Sequence, residues 1–272
     1  MTRRGVDVAL TLLTYVVALV MVAPIAWMAL TAFKTEPQAF QIPPLLLWRP
    51  TLENFRYAFH VAEFGRFFAN TAAIGIGSTL LACLLGIPAA YSLAFYPTRR
   101  TRDVLFFVLS TKMLPTVAVI VPLYVLFTRA GLLDTRTGMI LLYAMMNLPL
   151  VIWMMHSFFL EIPPEIVEAA QVDGAALGAV FFRVTLPLAV PGLMATVLLS
   201  IVLAWNEFFV AVSMTYTHAA TLAVFIASYK TSEGLFWAKM SAASLLTITP
   251  VLLAGWFSQR QLVRGLTMGA IK

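Results

Sequence analysis

The amino-acid sequence predicts an all-α polytopic membrane protein, with six transmembrane helices and a helix–turn–helix loop between the fourth and the fifth. Three observations support this fold class. The 272 residues are 61% hydrophobic and only 11% charged, with a mean hydropathy of +0.90, whereas soluble domains carry about 25% charged residues. Six segments approach the roughly 20 apolar residues that a membrane span needs. A short, acidic loop rich in small residues separates the fourth segment from the fifth.

The six predicted spans account for most of the chain, and we treat residues 1–272 as a single membrane domain. The spans are Val8–Phe33, Phe67–Phe95, Val104–Phe127, Met139–Leu160, Val190–Val212 and Met240–Phe257. The last is short and crosses the membrane only with the help of flanking anchors. Prolines inside the spans are normal for transport bundles, because neighbouring helices satisfy the freed carbonyl groups.

Basic residues set the predicted orientation. Arg99, Arg100 and Arg102 lie in one short loop, and the N-terminus adds Arg3 and Arg4. The positive-inside rule therefore puts both termini, and the loop after the fourth span, in the cytoplasm. The opposite side carries nearly as many basic residues in total, so this prediction depends on their density in the short loop.

The loop after the fourth span, about 161–187, is predicted to begin with a helix. Pro163 and Pro164 favour a helix start, because the first turn does not use the N–H groups that proline lacks. Glu168 then falls near the N-terminus, where the helix dipole favours negative charge. Gly174 permits a sharp turn that a residue with a Cβ atom would resist.

A second short helical run, Ala175 to Phe182, completes the predicted helix–turn–helix across the membrane surface. The apolar content of the loop exceeds what a solvated connection needs, which favours a protein partner. The alternative is an interfacial amphipathic loop that rests on the lipid headgroups.

The spacing in this loop resembles the signature cytoplasmic loop of ABC-importer permeases. Glu168, Ala169 and Ala170 are followed after three residues by Gly174, and after nine more by an aliphatic residue, Val184, one further residue and Leu-Pro. The usual aliphatic residue of the family is Ile, so Val184 is a mild departure. The resemblance implies that the loop docks in a groove of a cytoplasmic ATPase. The coupling residues that it implies are Glu168, Ala169, Ala170, Asp173, Gly174, Leu186 and Pro187.

Further stretches are similar to one subfamily, the maltose-type, MalG-like permeases of carbohydrate ABC importers, which belong to the binding-protein-dependent transport family. The stretches are 113–115, 122–124, 131–135, 205–208 and 264–267. Each is weakly specific alone, but they occur in the family's order and extend the resemblance from about Leu52 to Lys272.

The resemblance implies one subunit of a larger importer in the bacterial cytoplasmic (inner) membrane. Its expected partners are a second, homologous permease, a dimer of a cytoplasmic ABC ATPase and an extracytoplasmic solute-binding protein. Its cargo is expected to be a sugar or sugar derivative. The polar C-terminal tail, about 259–272, is expected to lie against the ATPase dimer.

Several kinds of chemistry are not expected of this chain. The sequence has no Gly-x-x-x-x-Gly-Lys-Ser/Thr motif, so ATP and Mg²⁺ should be bound by the partner ATPase, with no cofactor on this chain. No catalytic or metal-binding residues are predicted. The net charge of +6 is spread along the chain, and no basic cluster indicates a nucleic acid.

Polar residues within the apolar spans are candidates for the substrate path or for gating, because intramembrane charges are costly and usually face the bundle interior or a wet cavity. At about 1.5 Å per residue, Lys112 is expected near mid-depth and Glu207 nearer the outer end, so they are not expected to pair. A structural or gating role is favoured for Glu207 over sugar contact, and core packing is the alternative for Met113. The full set of candidates is Lys112, Met113, Asn147, Asn206 and Glu207.

Three other classes of protein were weighed. A stand-alone secondary transporter would need paired carboxylates or inverted repeats with broken helices, but the spans hold one carboxylate and no convincing repeat. An intramembrane protease is disfavoured, because Ser157 and His156 lack a Gly-x-Ser-x-Gly turn. A scaffold protein is the third alternative. These classes can be distinguished by whether the protein can be purified alone or only together with an ATPase and a second permease.

Overall fold

The computed structural model describes residues 3–231 and 234–268, which are predominantly helical. The elements in chain order are α1 (Arg3–Ala32), α2 (Glu36–Ala39), α3 (Glu53–His60), α4 (Phe64–Phe95), α5 (Thr101–Met113), α6 (Thr116–Arg129), α7 (Arg136–Leu160), α8 (Pro164–Val172), α9 (Leu177–Ala179), a π-helix (Val180–Thr185), α10 (Leu186–Leu188), α11 (Val190–Asn206), α12 (Phe209–Met214), α13 (Leu222–Ala227), β1 (Lys230–Thr231), β2 (Gly234–Leu235) and α14 (Trp237–Met268). The two short strands pair antiparallel.

Within the described residues, four helices are long and apolar enough to cross a membrane. They are α1 over Leu10–Ala32, α4, α7 and α14 over Trp237–Trp256. Two bent pairs raise the number to six if each pair forms one span: α5 with α6, and Leu177–Leu188 with α11. An all-α polytopic fold was predicted from the apolar segments, and it is confirmed.

The third predicted span, Val104–Phe127, is wrong as a continuous helix. Helices α5 and α6 meet at an angle of 89°. Leu114 and Pro115 between them are extended, with ψ angles of 126° and 120°. Proline disfavours the helical conformation in the residue that precedes it, so the break follows from the Leu114–Pro115 pair.

The fifth predicted span, Val190–Val212, is also interrupted. Helix α11 ends at Asn206, Glu207 is extended with a ψ angle of 112°, and α12 begins at Phe209. The Glu207 Oε1 atom accepts a hydrogen bond of 2.8 Å from the Val210 N–H group. A carboxylate in this position satisfies a donor at a helix start and complements the helix dipole, which stabilises the break.

The last predicted span, Met240–Phe257, nearly coincides with the candidate span Trp237–Trp256 but lies within a longer helix. Helix α14 runs without interruption from Trp237 to Met268. Part of the predicted tail, 259–268, therefore prolongs this helix. The remainder, 269–272, lies outside the described residues.

The chain divides into two compact units, Met1–Gly65 with Phe225–Pro250 and Arg66–Val224 with Val251–Lys272. In the first unit, Lys34 is only 2% exposed. Its ammonium nitrogen lies 4.7 Å from the Trp27 ring centre and 4.6 Å from that of Trp48, and it donates to the Leu45 carbonyl at 2.8 Å. Aromatic faces stabilise a desolvated cation, so the segment after α1 folds around this lysine.

The same unit contains a long-range helix cap. The Glu36 carboxylate accepts hydrogen bonds from the Ala238 and Lys239 N–H groups at 3.0 and 2.9 Å. These are first-turn donors of α14, which have no partner inside the helix. Lys239 also lies over the Tyr57 ring at 4.2 Å, so α14 is joined to the segment that follows α1.

The second unit is built around α4, α7 and α11. Two clusters of buried side chains join these helices, one including Tyr91, Met155 and Phe159 and the other including Ile74 and Tyr143. The helices approach closely at glycines. A Cβ atom at Gly192 would lie 2.2 Å from the Phe158 ring, and one at Gly86 would lie 2.8 Å from Val151. These glycines allow α7 to pack against both of its neighbours.

Candidate functional site

A small polar cavity of about 80 Å³ lies within the helical bundle of the second unit, at the two helix breaks. Its walls include Lys112, Tyr143, Asn147 and Glu207, together with apolar side chains. A second cavity, of about 340 Å³ and mainly apolar, shares Lys112 and Met146 with it. The polar side chains thus form one group beside a larger apolar space.

Lys112 reaches this cavity because α5 ends one residue later, at Met113. Its ammonium nitrogen donates to the Met146 carbonyl at 2.9 Å. Asn147 is 3% exposed, and its side-chain amide donates to the Ser200 carbonyl at 3.3 Å, which links α7 to α11. Both donors thus bind backbone carbonyl groups of neighbouring helices.

Glu207 holds the other side of the cavity through its backbone and its side chain. The Tyr143 hydroxyl donates to the Glu207 carbonyl at 3.2 Å, and the carboxylate caps α12 through Val210. Lys112 and Glu207, both in the described part of the chain, line the same cavity without a direct ion pair. They were expected at different depths, but the breaks after Met113 and Asn206 bring them together.

The other two candidates do not line this cavity. The Asn206 side chain is exposed and donates to the Val202 carbonyl, one turn earlier in α11, at 2.8 Å. Met113 is 77% exposed. Sequence reasoning also missed Tyr143 and Met146, which lie in the apolar run that leads to Asn147 and resemble core residues.

The loop after α7 is the second candidate site. Helix α8 begins at Pro164, directly after Pro163, and Gly174 follows it with a φ angle of 81°. That angle favours glycine, since side chains with a Cβ atom rarely adopt it. The helical structure resumes at Leu177, and it extends beyond the predicted run of Ala175–Phe182.

This second helical run continues to Leu188 through the π-helix Val180–Thr185, so Pro187 lies inside it. Proline cannot donate an N–H group to the preceding turn. The buried Thr185 hydroxyl donates to the Phe181 carbonyl at 3.1 Å, and the same carbonyl accepts from the Leu186 N–H group. The predicted run, Ala175 to Phe182, therefore ended too early.

One side of this loop is anchored to the bundle. Val167 is 5% exposed, and the Phe181 ring packs edge-on against Tyr91 of α4, with 5.0 Å between ring centres. Tyr91 also contacts Phe159 near the end of α7, at 5.7 Å. The Gln171 side-chain amide donates to the hydroxyl of Tyr96 at 3.1 Å. These contacts connect the loop to α4 and, through Tyr91, to α7.

The opposite side of the loop is exposed. Three large apolar side chains, Val172, Leu177 and Phe182, are 87%, 62% and 66% exposed. Exposed apolar surface of this kind suits contact with a partner protein or with the lipid headgroup region. Among the predicted coupling residues, the exposed ones are Glu168, Ala169, Asp173, Gly174 and Pro187, and the half-buried ones are Ala170 and Leu186.

A third arrangement was not predicted from the sequence, although its central residue is in the 131–135 stretch. Asp134 has a φ angle of 53°, and its carboxylate accepts from the backbone N–H groups of residues 216–219 at 3.0–3.1 Å. Burial opposes ionisation, but these N–H donors outweigh it and hold the pKa of the Asp134 carboxyl below its usual range. We call this arrangement the Asp134 clasp.

Asn70 and Arg136 extend the Asp134 clasp to α4 and α7. The Asn70 amide, which is completely buried, donates to the carbonyls of His218 and Ala220 at 2.8 and 2.9 Å. Its oxygen accepts from the Arg136 Nε atom at 2.7 Å. The loop between α12 and α13 is therefore fixed to the ends of two long helices.

Comparisons with known proteins agree with this architecture. The chain is 36% identical over 262 residues to a probable ABC transporter permease protein, y4oR, of Sinorhizobium fredii, with 96% of this chain and 94% of the relative covered. It is 35% identical over 225 residues to the trehalose transport system permease protein SugB of Mycobacterium tuberculosis, with 82% of each chain covered.

A bacterial ABC transporter involved in the import of the acidic polysaccharide alginate has the same fold. Its crystal structure contains a chain that matches with a TM-score of 0.79 and 22% identity, over 96% of this chain and 98% of that one. Residues 82–263 match a family described as the inner membrane component of binding-protein-dependent transport systems. With this match and relatives above 30% identity over most of their length, the chain belongs to that family of inner membrane transport components.

Proposed function

We propose that this chain forms half of the translocation path of an ATP-driven importer for a sugar or sugar derivative, and that the loop after α7 couples the path to a cytoplasmic ATPase. Family membership already makes it a multi-pass inner membrane permease subunit of an importer and not an enzyme. The observation that carries the coupling role is the two-sided loop: anchored to α4 and α7 on one side, with exposed apolar and acidic residues on the other.

The sugar class is supported by the cavity and by the relatives. Sugar hydroxyl groups need both hydrogen-bond donors and acceptors. The cavity supplies an ammonium group from Lys112, a carboxylate from Glu207 and a hydroxyl from Tyr143, beside an apolar space that suits a pyranose face. One relative is named for trehalose transport, and a structure of the same fold belongs to an alginate importer.

The coupling role follows from how the loop is held. Closure of an ATPase dimer would move α8, because α8 presents Glu168 and the apolar side chains around it. The Phe181–Tyr91 contact would pass that movement to α4. Rocking of the bundle would then open the cavity alternately to the two sides of the membrane. ATP and Mg²⁺ would be bound by the ATPase, outside this chain.

The proposed complex contains a second, homologous permease, two ATPase subunits and an extracytoplasmic binding protein. In this complex both termini face the cytoplasm, as the Arg99–Arg102 loop predicts. A second permease is included because the polar cavity of this chain, about 80 Å³, is smaller than a sugar, so a second chain would supply the rest of the path.

Purification of the native complex tests this proposal. The tagged chain, extracted in mild detergent, should retain a second permease and an ATPase in stoichiometric amounts. In proteoliposomes, uptake of a labelled sugar should require ATP inside and the sugar-loaded binding protein outside. A chain that purifies alone and takes up sugar in response to an ion gradient would contradict the proposal and favour a secondary transporter.

A further inference from the structure

A groove of about 460 Å³ opens between the ends of α4, α5 and α7, in the second unit. It lies at the end of the bundle from which the loop after α7 emerges. Its walls are mainly apolar, with Leu93, Leu105, Phe106 and Leu160, and they also include His156. Arg99 and Arg102 line the groove as well, in the short loop after α4 and at the start of α5. The cavity with Lys112 and Glu207 uses none of these residues, so the groove is a separate feature.

The wall of the groove is a packed structure. Leu105 is 9% exposed, and its carbonyl accepts a hydrogen bond of 3.0 Å from the Trp153 indole N–H of α7. This bond joins α5 to α7 along one wall. Phe106, by contrast, is 70% exposed beside the opening. The groove therefore combines a fixed base with an aromatic side chain that is largely exposed.

The segment that carries these arginines forms a defined turn. The Thr98 N–H group donates to the Thr101 hydroxyl at 2.8 Å, and the Arg100 N–H group donates to the Thr98 hydroxyl at 3.3 Å. Both Arg99 and Arg102 are exposed. Among the described residues that line the groove, none carries a carboxylate. The groove therefore combines positive charge with mainly apolar walls.

We propose that this groove binds one anionic phospholipid of the cytoplasmic leaflet. The phosphate would lie between Arg99 and Arg102, because guanidinium groups bind phosphate oxygens through paired N–H donors. The acyl chains would lie along Leu105, Phe106 and Leu160. Basic pockets between membrane helices on the cytoplasmic side suit this class of lipid. The inference rests on the proposed orientation, in which the Arg99–Arg102 loop faces the cytoplasm.

Lipid in the groove would adjoin the coupling loop. Tyr96, which begins the same short loop as the arginines, accepts the hydrogen bond from Gln171 of α8. A phosphate bound between the arginines would hold this loop in position beneath α8. We therefore expect the anionic lipid to raise the fraction of ATP hydrolysis that leads to transport.

The test compares three single arginine variants in the intact importer complex. Native mass spectrometry after extraction from mixed phosphatidylethanolamine and phosphatidylglycerol membranes counts the retained phosphatidylglycerol. Arg99→Gln and Arg102→Gln should each weaken its binding about fivefold, the usual effect of one basic residue on an anionic headgroup. Arg100→Gln is the matched control, because Arg100 lies between them in sequence but does not line the groove.

Three outcomes would overturn the proposal. Equal losses of phosphatidylglycerol in all three variants would indicate diffuse attraction to the membrane, and equal retention of phosphatidylethanolamine would show that the groove does not select an anionic headgroup. Complete displacement of the lipid by inorganic phosphate would mean that the apolar walls contribute nothing. Cysteine labelling of the Arg99–Arg102 loop from each side of the membrane distinguishes a wrong orientation from a wrong site. Lipid retention is measured without a transport assay, so a negative result for the lipid site does not depend on whether the proposed substrate is correct.

Discussion

Single residues fix the loop between α12 and α13, and Asp134 contributes most. Its carboxylate accepts from the backbone N–H groups of four consecutive residues, and its φ angle of 53° lies in a region that Asp and Asn tolerate better than other side chains. Without the Asp134 carboxylate, these four backbone N–H groups would lose their charged acceptor.

Asp134→Asn should therefore lower the unfolding temperature of the purified complex. Asn keeps the backbone conformation but removes the charge, and hydrogen bonds to charged groups contribute about 1.5–3 kcal/mol each, against about 1 for neutral ones. The folded-state pKa lies below the ordinary value of 3.8, so the stabilisation is present above that pH and is lost as the pH falls through the folded-state pKa. Melting curves of the two proteins should converge in acid. A constant difference across pH would contradict this account.

Gly192 provides a second prediction for a single residue. A Cβ atom there would lie 2.2 Å from the Phe158 ring, so Gly192→Ala should push α11 away from α7 at a cost of about 1–3 kcal/mol. The loss should be measured as a lower unfolding temperature. Gly178→Ala is the control, since no atom lies within 4 Å of its Cβ position. Equal stability of both variants would show that α7 and α11 are not closely packed at this point.

Among the elements, α8 and the helical run after it carry the proposed coupling to the ATPase. Their buried side chains, Val167 and Val180, belong to the bundle, whereas Val172, Leu177 and Phe182 face outward. An element with this division can move with a partner and transmit the movement inward.

Glu168→Lys should uncouple ATP hydrolysis from uptake while leaving the bundle folded. The residue is exposed, and juxtaposed like charges at an interface cost several kcal/mol. Reconstituted complexes should show weaker ATPase binding, or ATP hydrolysis without uptake. Glu53→Lys, at an exposed acidic residue of α3, is the charge-matched control and should transport normally. Wild-type uptake by Glu168→Lys would mean that α8 only rests on the membrane.

Gly174→Val should impair the same coupling by a different route. No atom lies within 4 Å of a Cβ atom at Gly174, so the cost comes from its φ angle of 81°, a strain of about 1–3 kcal/mol for a branched residue. ATPase binding should weaken and uptake should fall. Gly174→Asn, which tolerates this conformation better, should retain more of both. Identical losses in the two variants would point to side-chain size as the cause.

The sequence predicted elements with local signals better than features that depend on packing or on distant residues. Apolar length predicted the spans, and the double proline predicted the start of α8 at Pro164. The breaks were missed because a proline such as Pro115 is tolerated in many spans, and only the packing around it decides the outcome. The Glu207 cap lies in the short break between α11 and α12, and the Asp134 clasp joins residues that are distant in sequence. Neither arrangement produces a hydrophobic periodicity by which it could be predicted.

At the scale of the whole molecule, the proposed topology can be tested directly. In a Cys83→Ser background, Arg129→Cys should react with a membrane-impermeant maleimide from outside intact cells, and Gln171→Cys should react only after permeabilisation. Both positions are exposed, and they lie at opposite ends of α7 in the chain. Labelling of Gln171→Cys from outside would reverse the orientation and remove the basis for docking α8 on a cytoplasmic ATPase.

The Asp134 clasp has a consequence for how such a protein can diverge. Every bond that its carboxylate makes to residues 216–219 goes to a backbone N–H group, which any residue except proline provides. The side chains of Tyr216, Thr217 and His218 can therefore change over evolutionary time while the path of the loop is retained. A permease built this way can change the side chains that this loop displays by ordinary point mutation, without first losing the path of the loop.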